Sequence, residues 1–317
     1  MLCPGRGVGL WWGLMKITVL LGGPSAEREV SLVSGAAVAK GLREGGHEVF
    51  ESDISPTNLA GLDRAADVIF PVLHGTFGES GELQEILEER GLPFVGSGSK
   101  ASRLGMDKAA TKRVWEKAGL PTPPYVEVRR GEALPAWIDG PCVVKVLDSG
   151  SSIGVHVHKK GSGLAREQAA AILAEHGRVL VEKFIQGPEL TVGLLEEKAL
   201  APIRIVPSVE FFDYEAKYKP NDTEHRFDTG LPEAVVAKCR ALAEKANAVV
   251  GAVDLARIDV MIDEADALTP YLIEINTLPG FTPKSLLPEA AAQGGTPFAA
   301  LVDRLARRAA ARGGRGE

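Results

Sequence analysis

Between Lys16 and Gly96, apolar runs of strand length alternate with helix-patterned stretches, and this alternation restricts the fold more than any other feature of the chain. Strands are expected at Ile17–Leu21, His47–Glu51, Val68–Leu73 and Pro93–Val95, and helices near Glu29–Glu44 and Gly81–Arg90. A strand–helix–strand order of this kind builds an open parallel sheet. In such sheets ligands gather at the carboxyl ends of the strands. Two loops lie there, Gly22 to Glu27 and Leu73 to Glu79, which makes Glu27 and His74 site candidates by position. Taken singly, they are better accounted for as a helix-start acid and a surface histidine.

A second constraint comes from Arg257–Asp263 and Tyr271–Gly280, which read as two short strands around a loop from Glu264 to Pro270. Side chains two apart on a strand share a face. Arg257 and Asp259 therefore point one way, as do Glu274 and Asn276, with Ile258, Val260, Ile273 and Ile275 packed behind. An all-oxygen set of two carboxylates and an amide suits a hard cation such as Mg²⁺, which keeps waters and bridges to phosphates. Pro279-Gly280 then supplies a turn whose N–H groups can face an anion. The plainer alternative is an antiparallel pair with one wet face. Asn beside Glu on a run ending in Thr-Leu-Pro-Gly is unlike an ordinary solvated strand.

Between these regions, a helix is expected around Met106-Asp107-Lys108, a break at Gly119–Pro124, and a strand at Cys142–Val146. The loop that follows, Asp148 to Val155, has small residues around two serines and suits a fold over phosphate. Lys145 at the end of a buried strand is costly unless it meets an anion, so it reads as a phosphate partner or as an edge lysine reaching water. Val181–Glu189 reads as a strand entering a turn, and Phe211–Pro220 as an irregular aromatic loop fit for a lid. The stretch after Leu301 reads as a basic, solvated helix.

Two nucleotide motifs are absent or weak. No G-x-x-x-x-G-K-[ST] occurs, and Gly96-Ser97-Gly98-Ser99-Lys100-Ala101 matches a dinucleotide fingerprint only late in the alternating region. A net charge of -6 without a basic stripe argues against nucleic-acid binding. The 317 residues allow two or three domains, no run approaches membrane-spanning length, and Cys3, Cys142 and Cys239 are scattered, as in a reduced cytosolic chain. Residues 1–14 pass superficially for a signal peptide, but Lys16 interrupts the apolar run; Met15 is the expected start, with the preceding residues an extension or a start-site artefact.

The blocks LLGGPSAEREVSLVSG (20–35), LHGTFGESGELQ (73–84), MDKAATK (106–112), GSSIGV (150–155), EKFIQGPELTV (182–192), FFDYEAKY (211–218), RIDVM (257–261) and EINTLPGFTPKSL (274–286) occur in this order. Together they resemble the D-alanine–D-alanine ligases of the ATP-grasp superfamily over nearly the whole chain from Met15. The resemblance implies an α/β, three-domain ATP-grasp fold. An N-terminal open parallel sheet (15–96) precedes a central domain (97–181) and a C-terminal catalytic domain (182–312), with ATP between the last two and a tail at 313–317.

It also implies roles. Lys108 and Lys145 contact ATP phosphates; Glu182, Lys183 and Ile185 line the adenine slot; and Glu189 binds the ribose. Asp259, Glu274 and Asn276 hold Mg²⁺, for which Mn²⁺ is a substitute. Glu27, with His74 nearby, takes the ammonium of the first D-alanine. Arg257 and the Gly280 N–H stabilise oxyanions, while Lys217, Ser285 and Leu286 receive the second D-alanine. Tyr218, Ser151 and Glu27 join when the lid closes. The implied reaction runs through a D-alanyl phosphate to the dipeptide used in peptidoglycan, in the cytoplasm and as a homodimer. Rival readings are a D-alanyl-D-lactate ligase, disfavoured by Tyr218 in EAKY, another ATP-grasp carboxylate–amine ligase, and a non-catalytic nucleotide binder. Departures from the family pattern are Val146 in place of a common proline, a divergent stretch from Lys219 to Gly230, and Lys284 beside Ser285.

Overall fold

The computed structural model describes residues 13–148, 150, 154–161, 163–206 and 223–314. The expectations for Ser151, Lys217, Tyr218 and the whole aromatic loop lie outside these residues. Among the described residues the strands form three sheets. The first is parallel, in the order β2 (Glu48–Asp53), β1 (Lys16–Leu21), β3 (Val68–Pro71), with α1 (Arg28–Glu44) and α2 (Glu82–Glu89) in the connections. Elements fall within a residue or two of the sequence expectation, as boundaries do. Pro93–Val95 shrinks to a single parallel bridge from Phe94 to Ile69.

The second sheet is antiparallel, in the order β4 (Tyr125–Arg129), β7 (Arg178–Lys183), β5 (Cys142–Lys145), β6 (Val155–His158), and is backed by α5 (Leu164–His176). The third, also antiparallel, runs β11 (Glu224–Arg226), β10 (Ile203–Val206), β8 (Glu189–Leu195), β12 (Leu255–Asp263), β13 (Thr269–Asn276), with β9 (Lys198–Ala199) on β8. The core behind it joins Leu190, Ile258 and Leu272 to Ala101 of α3 (Ser99–Met106), Trp115 of α4 (Lys108–Lys117) and Ala243 of α6 (Glu233–Val250).

The expected helix around Asp107 is two helices. Asp107 leaves the helical region, and its side chain caps α4 by accepting the Ala110 N–H at 2.8 Å. The break aims Lys108 and Lys112, one turn apart, from the same end of α4. The weak G-x-G segment serves as a structural joint. The Gly96 N–H donates to Asp254 Oδ2 at 2.9 Å, and Ser97 Oγ accepts the Val253 N–H.

Two expectations are corrected. Alternation put Ile273 in the core, but the β12–β13 register slips between Asp259 and Val260, so that Asp259 faces Glu274 and Val260 faces Leu272. Ile273 is the extra residue and is half-buried, while Leu272 takes the core position. The basic helix at the end, α8 (Phe298–Arg312), is not a solvated tail. Its Leu301, Val302, Leu305, Ala306 and Ala309 are fully buried in the core of the first sheet with Ile17, Val19 and Phe70. Its arginines found partners that sequence distance had hidden. Arg308 and Arg312 bind the buried Asp254, and Arg304 binds Glu196 through Nε at 2.6 Å. Glu196 and Glu197 form the tight β8–β9 turn with positive φ at both residues.

Candidate active site

The second and third sheets face each other through their charged residues. Lys145, the last residue of β5, reaches from the second sheet, and Glu182 on neighbouring β7 lies beside it, with Lys145 Nζ 3.1 Å from Glu182 Oε1. From α4, Lys112 Nζ comes within 3.5 Å of Glu182 Oε2 and donates to Thr122 Oγ1 at 2.6 Å. Lys112 and Glu182 are almost completely shut off from solvent. Burial pushes the Lys112 amine down to about 8 despite Glu182, whereas Glu182, although burial opposes its charge, is held below the ordinary carboxylate range by Lys112 and Lys145. Burial also lowers Lys108, whose Nζ lies 3.9 Å from Glu274 Oε2. Three lysine ammonium groups converge here, donors of the kind that suit a polyphosphate.

Beyond Glu182, Lys183 stacks on Trp137 at 4.5 Å from the ring centroid, and Ile185 is buried. Lys183 follows Glu182 directly on β7 and so points to the opposite face of the sheet, where Trp137 packs on the core under α5.

On the third sheet Asp259 and Glu274 are directly cross-strand, and Arg257 faces Asn276. Like charges opposed on a ladder are destabilising unless a cation lies between or beside them. Arg257 meets Asp259 as a fork, Nε to Oδ1 and Nη2 to Oδ2, both at 3.0 Å. Burial works against the Arg257 charge, but Asp259 keeps its pKa above the ordinary value. Thr191 Oγ1 donates to Asp259 Oδ1 at 2.6 Å, and Asn276 Oδ1 accepts the Leu278 N–H. Glu189, the first residue of β8, is exposed overall, while neighbouring groups crowd its carboxyl and partly desolvate it. That burial, followed by the charges of Asp259 and Glu274, pushes it up to about 7.

A second cluster lies at the carboxyl end of the first sheet. His74 is buried; its Nδ1 is 3.5 Å from Glu79 Oε1, and its Nε2 has no hydrogen-bond partner among the described residues. Glu79 Oε2 also accepts the Gly75 N–H at 2.9 Å. Gly75 holds φ +72, and a Cβ on it would press on Ser25 at 3.0 Å. A Cβ on Gly150 would stand 3.7 Å from both Glu27 Oε2 and Glu79 Oε2, so the loop after β5 reaches these carboxylates. An unsatisfied buried imidazole nitrogen beside two acids points to a polar ligand.

The third part is a 220 Å³ pocket lined by His225, Arg257, Pro279, Gly280, Lys284, Ser285, Leu286 and Leu287. Ser285 immediately precedes α7 (Leu286–Gln293) but makes no side-chain bond to it; its Oγ accepts the Thr282 N–H at 3.0 Å and lies 2.9 Å from Thr282 Oγ1. Arg257 is shared with the Asp259–Glu274 face, so the pocket adjoins that face.

The structure thus gathers Lys108, Lys145, Glu182, Glu189, Asp259, Glu274 and Asn276 on one cleft, Arg257, Gly280, Ser285 and Leu286 on its adjoining pocket, and Glu27 and His74 beside the loop at Gly150. Sequence reasoning passed over Glu79, Lys112, Thr191 and His225. The first three stand inside the quoted blocks, but their chemistry depends on partners distant in sequence.

Model descriptions of the D-ala D-ala ligase C-terminus and N-terminus match residues 114–307 and 46–97. The chain is 44% identical over 295 residues to the D-alanine–D-alanine ligase of Citrifermentans bemidjiense, covering 92% of this chain and 94% of that one. Identity to the ligase of Laribacter hongkongensis is 43%, with 90% and 93% covered. A crystal structure of D-alanine–D-alanine ligase from Bacillus anthracis superposes with a TM-score of 0.81 at 29% identity, covering 94% of this chain and 98% of that one. The same enzyme complexed with ATP gives 0.80 at 28%, with the same coverage.

Proposed function

This chain belongs to the D-alanine–D-alanine ligase family, and from that premise we propose that it joins two D-alanines at the expense of ATP, supplying a dipeptide for peptidoglycan. The observation that carries the reading is the continuity of the three parts: a lysine-rich cleft, an opposed carboxylate pair and a small cationic pocket that share Arg257 and Glu274. Lys108 and Lys145 hold the ATP phosphates, Glu182, Lys183 and Ile185 the adenine, and Glu189 the ribose hydroxyls. Domains 15–96, 97–181 and 182–312 are the proposed units, with ATP between the second and third.

The residues present fit Mg²⁺. The donor set is oxygen only, the Asp259–Glu274 opposition is relieved by a cation, and Asp259 retains a lone-pair position after its bonds to Arg257 and Thr191. Asp259, Glu274 and Asn276 would hold it, and bound there it would neutralise charge on the transferring phosphoryl group. Mn²⁺ shares this preference for oxygen.

Glu27 binds the ammonium of the first D-alanine, with His74 and Glu79 beside it, and places its carboxylate toward the γ-phosphate. That carboxylate oxygen attacks phosphorus, forming an acyl phosphate and releasing ADP. The second D-alanine docks its carboxylate against Ser285, Leu286 and Lys217, and its free amine attacks the acyl carbon. Arg257 and the Gly280 N–H meet the oxyanion of the tetrahedral intermediate, which expels phosphate. Ser151 and Tyr218 complete the closed site and keep water from the acyl phosphate. Use of ATP and the buried unpaired Cys142 and Cys239 support a cytoplasmic setting; a homodimer is part of the proposal, to be checked by light scattering.

The test is ADP and phosphate release with Mg²⁺-ATP and D-alanine, L-alanine, or D-alanine plus D-lactate. Turnover with D-alanine alone, yielding the dipeptide, is expected. Preference for D-lactate at neutral pH would move the chain to the ester-forming branch, and ATP binding without turnover would refute the activity.

A further inference from the structure

The acceptor pocket contains a residue outside every quoted block. His225 lies on β11, the three-residue edge strand of the third sheet, and forms part of the pocket wall with Arg257, Lys284 and Ser285. Its Nδ1 is 2.6 Å from Glu289 Oε2. Glu289 stands one turn along α7 from Ser285, its N–H donating to the Ser285 carbonyl at 2.9 Å. Both side chains are partly enclosed, each 29% exposed.

This geometry has two consequences. A carboxylate accepts only, so Glu289 takes the Nδ1–H of His225 and Nε2 is the ring nitrogen left for the pocket; it bonds no described residue. Glu289 is also a negative charge one turn from Ser285, where the incoming amino acid brings a carboxylate of its own. Engaging it with the imidazole removes a repulsive partner from that wall. The same bond fastens a very short edge strand to the helix that carries Ser285 and Leu286.

We propose that His225, oriented by Glu289, is a specificity-determining residue of the acceptor pocket, presenting Nε2 to the second D-alanine and setting how tightly it binds. The inference rests on the ligase reading above. The experiment is steady-state dipeptide synthesis with the donor and acceptor KM for D-alanine resolved, on the full chain and on His225→Ala, Glu289→Ala and Glu289→Gln, with ATP KM and thermal midpoints measured alongside. His225→Ala is expected to raise the acceptor KM about tenfold while donor and ATP KM stay within about twofold. Glu289→Ala is expected to act likewise, and Glu289→Gln, which keeps an oxygen for the Nδ1–H, to restore the acceptor KM to within about threefold of the unaltered chain. If His225→Ala fails to fold, the Glu289 pair decides by the same criterion. An unchanged acceptor KM, an equal rise in all three constants, or equal effects of Glu289→Ala and Glu289→Gln would overturn the inference. Dipeptide synthesis by the unaltered chain with any of these outcomes overturns it alone, whereas no dipeptide from the unaltered chain overturns the ligase reading with it.

Discussion

Replacing Lys112 by methionine separates stability from nucleotide binding. The folded amine titrates at about 8 against 10.5 for an ordinary lysine, which corresponds to about 3 kcal/mol. The attraction to Glu182 at 3.5 Å is worth about 5 kcal/mol at an effective dielectric of 20, so burial outweighs it. Below pH 8 both folded and unfolded chains hold the proton, and the whole burial cost is present. Between about 8 and 10.5 the unfolded chain holds a proton that the folded one has released, so stability rises with pH in that window. From pH 8 to 9.5 this one group should add about 2 kcal/mol.

Methionine fills similar volume without charge, so the variant loses this segment of the pH dependence. At pH 7 relief of the lysine's burial offsets the weaker support of Glu182, leaving stability within about 2 kcal/mol of the parent. Lys145 becomes the only close cation on Glu182 and is drawn from the phosphates, so ATP KM rises about tenfold. Urea unfolding of both proteins at pH 7, 8 and 9.5 measures the difference. Parallel stability curves in the two proteins would refute the reasoning, as would a loss above about 4 kcal/mol at pH 7.

Glu274→Gln should lower ADP release by about two orders of magnitude while costing less than about 1 kcal/mol, because its contact with Lys108 is long, at 3.9 Å, and the Glu274 side chain itself is a third exposed. Near-normal ADP release would remove Glu274 from the cation site. Thr191→Val deletes the 2.6 Å bond to Asp259 and should shift the Mg²⁺ midpoint of ADP release about tenfold upward; an unmoved midpoint counts against an oriented Asp259. Asp254→Asn leaves Arg308 and Arg312 without their buried counter-charge and should cost about 3 kcal/mol in urea unfolding with ATP KM unchanged. A loss below about 1 kcal/mol would show that these arginines are satisfied elsewhere.

The parallel sheet and the β12–β13 pair were legible because each depends on local periodicity, period two for strands and near four for helices. The placement of Arg257, Asp259, Glu274 and Asn276 was legible for the same reason, since strand geometry fixes them to faces. Ile273 was misplaced because a bulge breaks the period from within, and nothing in Tyr271–Asn276 marks it. Lys112 looked like any lysine of a surface helix, and its burial follows from Glu182, seventy residues on. Glu79 and His225 are alike in this respect, one defined by a loop returning at Gly150 and the other by a helix sixty-four residues later. Helix α8 had a readable apolar stripe, but its arginines outweighed the stripe until Asp254, Glu196 and Glu197 appeared beside them.

The packing of α8 also bears on the order in which the molecule is made. Residues 16–95 are made well before 298–312, yet α8 shares with α1 the layer that covers their sheet. At the usual pace of synthesis, roughly 5–20 residues per second, the nascent sheet waits roughly 10–40 s with that face only partly covered. The parallel sheet is thus begun before the other two and finished after them, and a stop codon ahead of residue 298 would do its damage some two hundred residues upstream.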